Sequence, residues 1–113
     1  MDLLDLRTFC LSLPHTSEDT PFDDDVLVFR VHNKIFALAS ISKNDSVNLK
    51  CYPELALELR EQYHAVTPGY HMNKKHWNTV FFNQDLSDED LLEQVIHSYD
   101  LIWKALPRRL REG

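Results

Sequence analysis

Apolar residues change their spacing along this chain, and the changes mark out its elements. Leu3, Leu6, Cys10 and Leu13 recur three and four apart with Phe9 beside them, which predicts an amphipathic helix over residues 2–13. Asp2 is placed to cap it, and Asp5 sits in the first turn, where the helix dipole favours an acid. Pro14 ends it. Residues 15–25 are polar and acidic, and Pro21 with Phe22 reads as an extended piece at a sheet edge. The period then falls to two. Leu27, Phe29 and Val31 share one face of a strand over 26–32, with Val28 and Arg30 on the other. Asn33-Lys34 reads as a two-residue hairpin turn into a returning strand over 35–41. Residues 43–46 form a second turn, and Val47, Leu49 and Cys51 share one face of a third strand, opposite Asn48 and Lys50. Three consecutive antiparallel strands predict a meander with one wet face.

Helical spacing returns at Pro53, a residue suited to the first helical position, with Leu55, Leu59 and Tyr63 as the buried stripe and Ala56 beside it. A short extended piece follows over 66–69. The segment 70–77 contains one helical turn with Asn73 as its cap, and 77–82 alternates again, with Trp77, Thr79 and Phe81 on one face. That phase gives Trp77 a structural role. Ser87 with Asp90 three residues on signals a capping box before a helix over 88–105, striped by Leu92, Val95, Ile96, Tyr99, Ile102, Trp103 and Leu106. Pro107 stops it ahead of a basic tail. The order α-β-β-β-α-(β)-β-α predicts an α+β protein: a single antiparallel sheet with helices packed on one face, formed by residues 1–113 as one domain.

Composition agrees with that reading. A chain of 113 residues with 43% hydrophobic and 27% charged residues can bury roughly two thirds of its unfolded surface without a metal or disulfide. Cys10 and Cys51 lie in no pairing or metal-binding motif and are expected to be free thiols in a reducing cytoplasm. No basic leader and no long apolar run occurs, so no membrane association is expected. The formal charge of −6 is uneven. Acids dominate residues 1–25 and 83–103, whereas 26–82 and 104–113 each carry a net positive charge. The whole chain repels a polyanion, but its centre and tail do not.

Candidate chemistry concentrates in TPGYHMNKKHWNTV, residues 67–80, which holds one of only two glycines, two of six histidines and adjacent lysines. Signatures of nucleotide cradles, nucleophile elbows and zinc proteases are absent. His71 and His76 are five apart, a poor spacing for joint ligation, so no metal and no cofactor is expected, and the protein is read as non-enzymatic. Lys74, Lys75 and His76, joined by Lys43, are candidate phosphate contacts, while Tyr70, His71, Asn73 and Trp77 are candidate ligand-binding groups.

Three stretches, FRVHNKIFAL (29–38), VNLKCYPEL (47–55) and the 67–80 segment, resemble the MmcQ/YjbR family of small bacterial proteins, and with the flanking helices the likeness covers nearly the whole chain. The resemblance implies a fold similar to CyaY and to secretion chaperones. It also implies DNA binding through a double-wing arrangement of hairpins. The first hairpin tip, His32-Asn33-Lys34, stands where relatives often carry glycine. Three uses of the surface follow: weak, salt-sensitive DNA binding by a monomer; a protein-interaction module; and a small-anion pocket at 70–77. Clustered bases would favour the first, an exposed apolar patch the second, and a concave pocket with converging polar groups the third.

Overall fold

A computed structural model describes residues 1–70 and 72–112. Its elements are α1 (Leu3–Ser12), β1 (Thr16–Asp19), β2 (Val26–Val31), β3 (Lys34–Ser40), β4 (Ser46–Lys50), α2 (Pro53–Gln62), β5 (Val66–Pro68), β6 (Trp77–Phe81), α3 (Asp88–Ala105) and α4 (Arg108–Glu112). The strands form one six-stranded antiparallel sheet in the order β1-β2-β3-β4-β6-β5. The fold is α+β, with the helices against one sheet face. Two elements exceed the sequence reading, β1 and α4. The edge strand is Thr16–Asp19 rather than a piece around Pro21 and Phe22, because the ladder to β2 ends at Asp19 opposite Val28.

The helices start where the sequence places their caps. Asp2 and Asp5 form a reciprocal capping box at α1, Pro53 opens α2, and Ser87 accepts the Asp90 amide at the start of α3. The core lies between the helices and one sheet face: Leu6 and Cys10 from α1, Ala56 from α2, and Leu91, Val95 and Tyr99 from α3 meet Phe29, Val47, Leu49 and Val80. On α3 the buried anchor is Leu91. Leu92 is half-buried and Ile96 is exposed, so the true stripe is rotated from the expected one.

Backbone hydrogen bonding dictates that rotation. Phe29 faces Ala37 while Arg30 faces Ile35, so Phe36 is the extra residue of a β-bulge. Both Phe36 and Ala37 enter the helix-side core. The β3–β4 ladder keeps two registered pairs, Ala37 with Leu49 and Leu38 with Asn48. The next rung would join Phe36 to Lys50. Instead the fully buried Ser98 hydroxyl of α3 donates to the Phe36 carbonyl at 2.6 Å and accepts the Lys50 amide at 2.9 Å. At the preceding position of α3, His97 Nε2 accepts the Tyr52 amide at 3.2 Å, an acceptor role that needs the neutral ring, and burial lowers the His97 pKa.

The turns also differ from expectation. Val31 pairs with Lys34, so the β2–β3 turn is His32-Asn33, one residue earlier than the sequence reading placed it. His32 adopts φ 52° and His15 φ 62°, both in the left-handed region. The His32 amide donates to the His15 carbonyl at 3.0 Å, and the two imidazoles stack at 4.8 Å, with Trp103 5.8 and 5.9 Å from them. This ring stack ties two strained turns to the last part of α3.

Replacing Ser98 by Ala should leave a carbonyl and an amide facing each other's side of the core without a partner, at a cost of about 1–3 kcal/mol. Urea unfolding should show a lower midpoint with an unchanged slope; an unchanged midpoint would mean that the sheet closes the rung by itself.

Candidate functional site

The face of the sheet without helices is not the wet surface that the meander pattern suggests. Val28 and Leu38 point to this side and are 0% and 6% exposed. A groove runs over it. Leu38, Ser40, Asn48 and Thr79 form its floor, and its walls come from Phe22 and Asp25 ahead of β2, Tyr70 and Met72 between β5 and β6, and Trp77 at the start of β6. The groove has two lobes, of ≈ 500 and ≈ 310 Å³, that share Leu38, Ser40, Lys43, Asn48 and Tyr70. The larger lobe adds Phe22, Ile35 and Trp77; the smaller adds Asp45, Ser46 and Thr67.

The wall that carries Tyr70 and Met72 is held by hydrogen bonds on either side of it. The Gly69 amide donates to the Trp77 carbonyl at 2.8 Å, and a Cβ at position 69 would lie 2.8 Å from Trp77 Cβ, so glycine is required for this close approach. The Tyr70 amide donates to Thr79 Oγ1 at 3.1 Å, and that hydroxyl in turn donates to Asn48 Oδ1 on the floor. Asn73 closes the following turn: its carbonyl accepts the amides of His76 and Trp77, and its Oδ1 accepts the Lys75 amide at 3.0 Å. Arg60 of α2 then clasps the segment. Its guanidinium donates to Asn78 Oδ1 at 2.7 Å, to the Trp77 carbonyl at 3.2 Å and to the Lys74 carbonyl. A planar fork with several donors suits three acceptors in different directions, which a lysine could not match.

The charges in the groove are largely committed. Asp25 accepts from the Ser40 hydroxyl at 2.8 Å and from the Ser42 amide and hydroxyl at 2.8 and 2.9 Å. These bonds, Ser40's first, hold its carboxyl below the usual range. The Lys43 ammonium lies 5.7 Å from the centre of the Tyr70 ring. Asp45 stands at the rim of the smaller lobe and accepts from the Ser46 hydroxyl at 3.0 Å.

The structure thus divides the residues singled out by the sequence. Lys43, Tyr70 and Trp77 line one groove. Trp77 is half-buried and shares its sheet face with Thr79 and Phe81, in the phase expected. Asn73 serves its own turn. Lys74 and Lys75 stand exposed on that turn with His76 half-buried beside them, and none of the three lines the groove. His71 lies outside the described residues. Phe22, Asn48 and Arg60 were not anticipated. Asn48 was assigned to the far side of its strand, which is the groove side; nothing in the sequence marks Arg60 apart from other helix-surface bases. Cys10 and Cys51 are free and buried, and burial pushes their thiols up to about 12 and about 11. Among the described residues no helix is long and apolar enough to cross a membrane.

Fold and groove together define a small α+β protein with one sheet face sealed by helices and the other left open between loops. The sequence model of the YjbR family matches residues 11–101. The chain is 34% identical over 104 residues to the uncharacterised protein YbdF of Escherichia coli O157:H7, covering 91% of this chain and 85% of that one. It is 31% identical to the uncharacterised protein YjbR of Escherichia coli K12 over 113 residues, 99% and 96% of the two chains. The crystal structure of Deinococcus radiodurans protein DR2400, which carries the DUF419 domain, superposes with a TM-score of 0.92 at 38% identity, over 99% of this chain and 87% of that one. The chain belongs to the YjbR family.

Arg60→Lys should loosen the groove wall without unfolding the core. Amide exchange at His76 and Trp77 should accelerate, with a stability loss of about 1–2 kcal/mol. Equal protection in the variant would show that the Asn73 turn holds itself.

Proposed function

We propose that this protein is a non-enzymatic binding module that takes its ligand in the groove on the open face of the sheet. One observation carries the reading: three separate segments bring Phe22, Tyr70 and Trp77 to a single concave site with Lys43, and Phe22 and Tyr70 remain 65% and 63% exposed. Concave, mainly apolar sites with a few polar groups are where small ligands bind, and large exposed aromatics beside them are costly unless something covers them. The non-catalytic reading is supported by the thiols, which are buried and hard to ionise, and by Asp25, whose carboxylate is engaged by serine donors. Screening aromatic fragments against the protein by ligand-observed NMR should give binders that the double variant Phe22→Ala/Tyr70→Ala no longer holds. Its melting temperature should stay within a few degrees of wild type, since exposed side chains contribute little to stability. Binders unaffected by both substitutions would place the ligand elsewhere and remove this reading.

A second reading, duplex DNA, is favoured by Lys74 and Lys75 standing exposed side by side on the turn before β6. Two or three phosphate contacts there give a log–log salt slope of about −2 to −3, and Lys74→Ala/Lys75→Ala should flatten it by about 2. The acids at the start of α3, Asp88, Glu89 and Asp90, oppose a polyanion at long range, so binding is confined to low salt. Fluorescence anisotropy with a labelled duplex decides: no signal up to about 100 µM protein at low salt, the upper end of ordinary non-specific affinity, removes DNA as a partner.

A further inference from the structure

Resting on the groove reading, the donors, acceptors and charges that line the groove limit the chemistry of its ligand. The donors of Ser40 and Ser42 are both directed at Asp25. Thr79 accepts from the Tyr70 amide and donates to Asn48 Oδ1, so its hydroxyl proton is used as well. Oδ1 of Asn48 is engaged, whereas its Nδ2 group has no hydrogen-bond partner among the described residues and is not buried, so it is open to solvent. The second donor is Lys43. Its ammonium takes part in no salt bridge among the described residues and sits over Tyr70 where the two lobes meet. Asn48 and Lys43 line both lobes, so a neutral and a cationic donor stand together where the lobes meet, beside an aromatic lobe of ≈ 500 Å³.

Charge limits how much negative charge the ligand can carry. Asp25 keeps its charge through its serine bonds, and Asp45 faces the smaller lobe, so two carboxylates stand near one ammonium. Repulsion by the excess carboxylate grows with the ligand's charge, so a phosphate dianion or a polyphosphate meets about twice or more the repulsion met by a single carboxylate, which can pair with Lys43 and accept from Asn48 Nδ2. We propose that the groove binds a planar aromatic monocarboxylate, with its ring in the larger lobe against Phe22 and Trp77 and its carboxylate at Lys43 and Asn48.

Three probes separate the parts of this proposal: indole-3-acetate, 3-methylindole and acetate, titrated into the full chain while the Trp77 indole and Asn48 side-chain amide resonances are followed. Indole-3-acetate should move both signals and bind about tenfold more tightly than 3-methylindole, the difference made by one charge-assisted contact. Acetate alone should not saturate. Lys43→Met keeps the aliphatic stem over Tyr70 and removes the charge, so it should bring indole-3-acetate down to the affinity of 3-methylindole while leaving 3-methylindole unchanged. Equal affinities of the two ring compounds for the wild type, or undiminished binding of indole-3-acetate to the Lys43 variant, overturns the carboxylate assignment and leaves the groove reading standing. If neither ring compound moves the Trp77 or Asn48 signals, the groove reading falls with it.

Discussion

A single buried hydroxyl holds the two layers of this protein in register. A bulge at Phe36 turns two successive side chains of β3 toward the helices and spoils the rung that would join β3 to β4. An amide and a carbonyl are thereby left inside the core, where unpaired backbone groups are hardly tolerated. Ser98 supplies the missing donor and acceptor from α3. Because the serine must reach both strands, the rotation of α3 about its axis is set, and with it the choice of Leu91, Val95, Tyr99 and Ile102 as the buried side. Hydrophobic burial drives the helix onto the sheet, but many rotations would bury similar area. The polar bridge selects one of them.

Local signals in the chain were informative where their cause is local. The caps Asp2 and Ser87, and Pro53 at the first helical position, mark helix starts because they satisfy or omit amides within the same few residues. The alternation of Val47, Leu49 and Cys51 marks a strand because one face is apolar. The bulge and the rotated α3 stripe were illegible for the complementary reason. Both follow from a contact between positions 36, 50 and 98, which no window along the chain contains. The edge strand Thr16–Asp19 lacked a signal too, since it is polar on both sides and exists by pairing with β2. The wet face failed as a concept because alternation separates two faces without saying what stands above each.

The candidate site was half visible. The density of aromatic and polar groups in residues 67–80 pointed to the correct wall, and Tyr70, Trp77 and Lys43 do line the groove. Phe22 was hidden in an acidic stretch 48 positions before Tyr70, and only the sheet brings the two to one cavity. Arg60 looked like any helix-surface base. Its function depends on carbonyls of a turn that approaches from another element. The lysine pair, prominent in sequence, sits on the outside of that same turn because the turn's inner positions are taken by its own hydrogen bonds.

The two sides of the sheet are held by different physics. The helix side is sealed by apolar packing, which resists opening as a unit. The wall that carries Tyr70 and Met72 is held by a chain of hydrogen bonds through Arg60, Asn73 and Thr79. Such a segment can detach and return at far lower free energy than the domain unfolds. Loss of the wall's hydrogen bonds is therefore a separate event from the cooperative melting of the helices against the sheet.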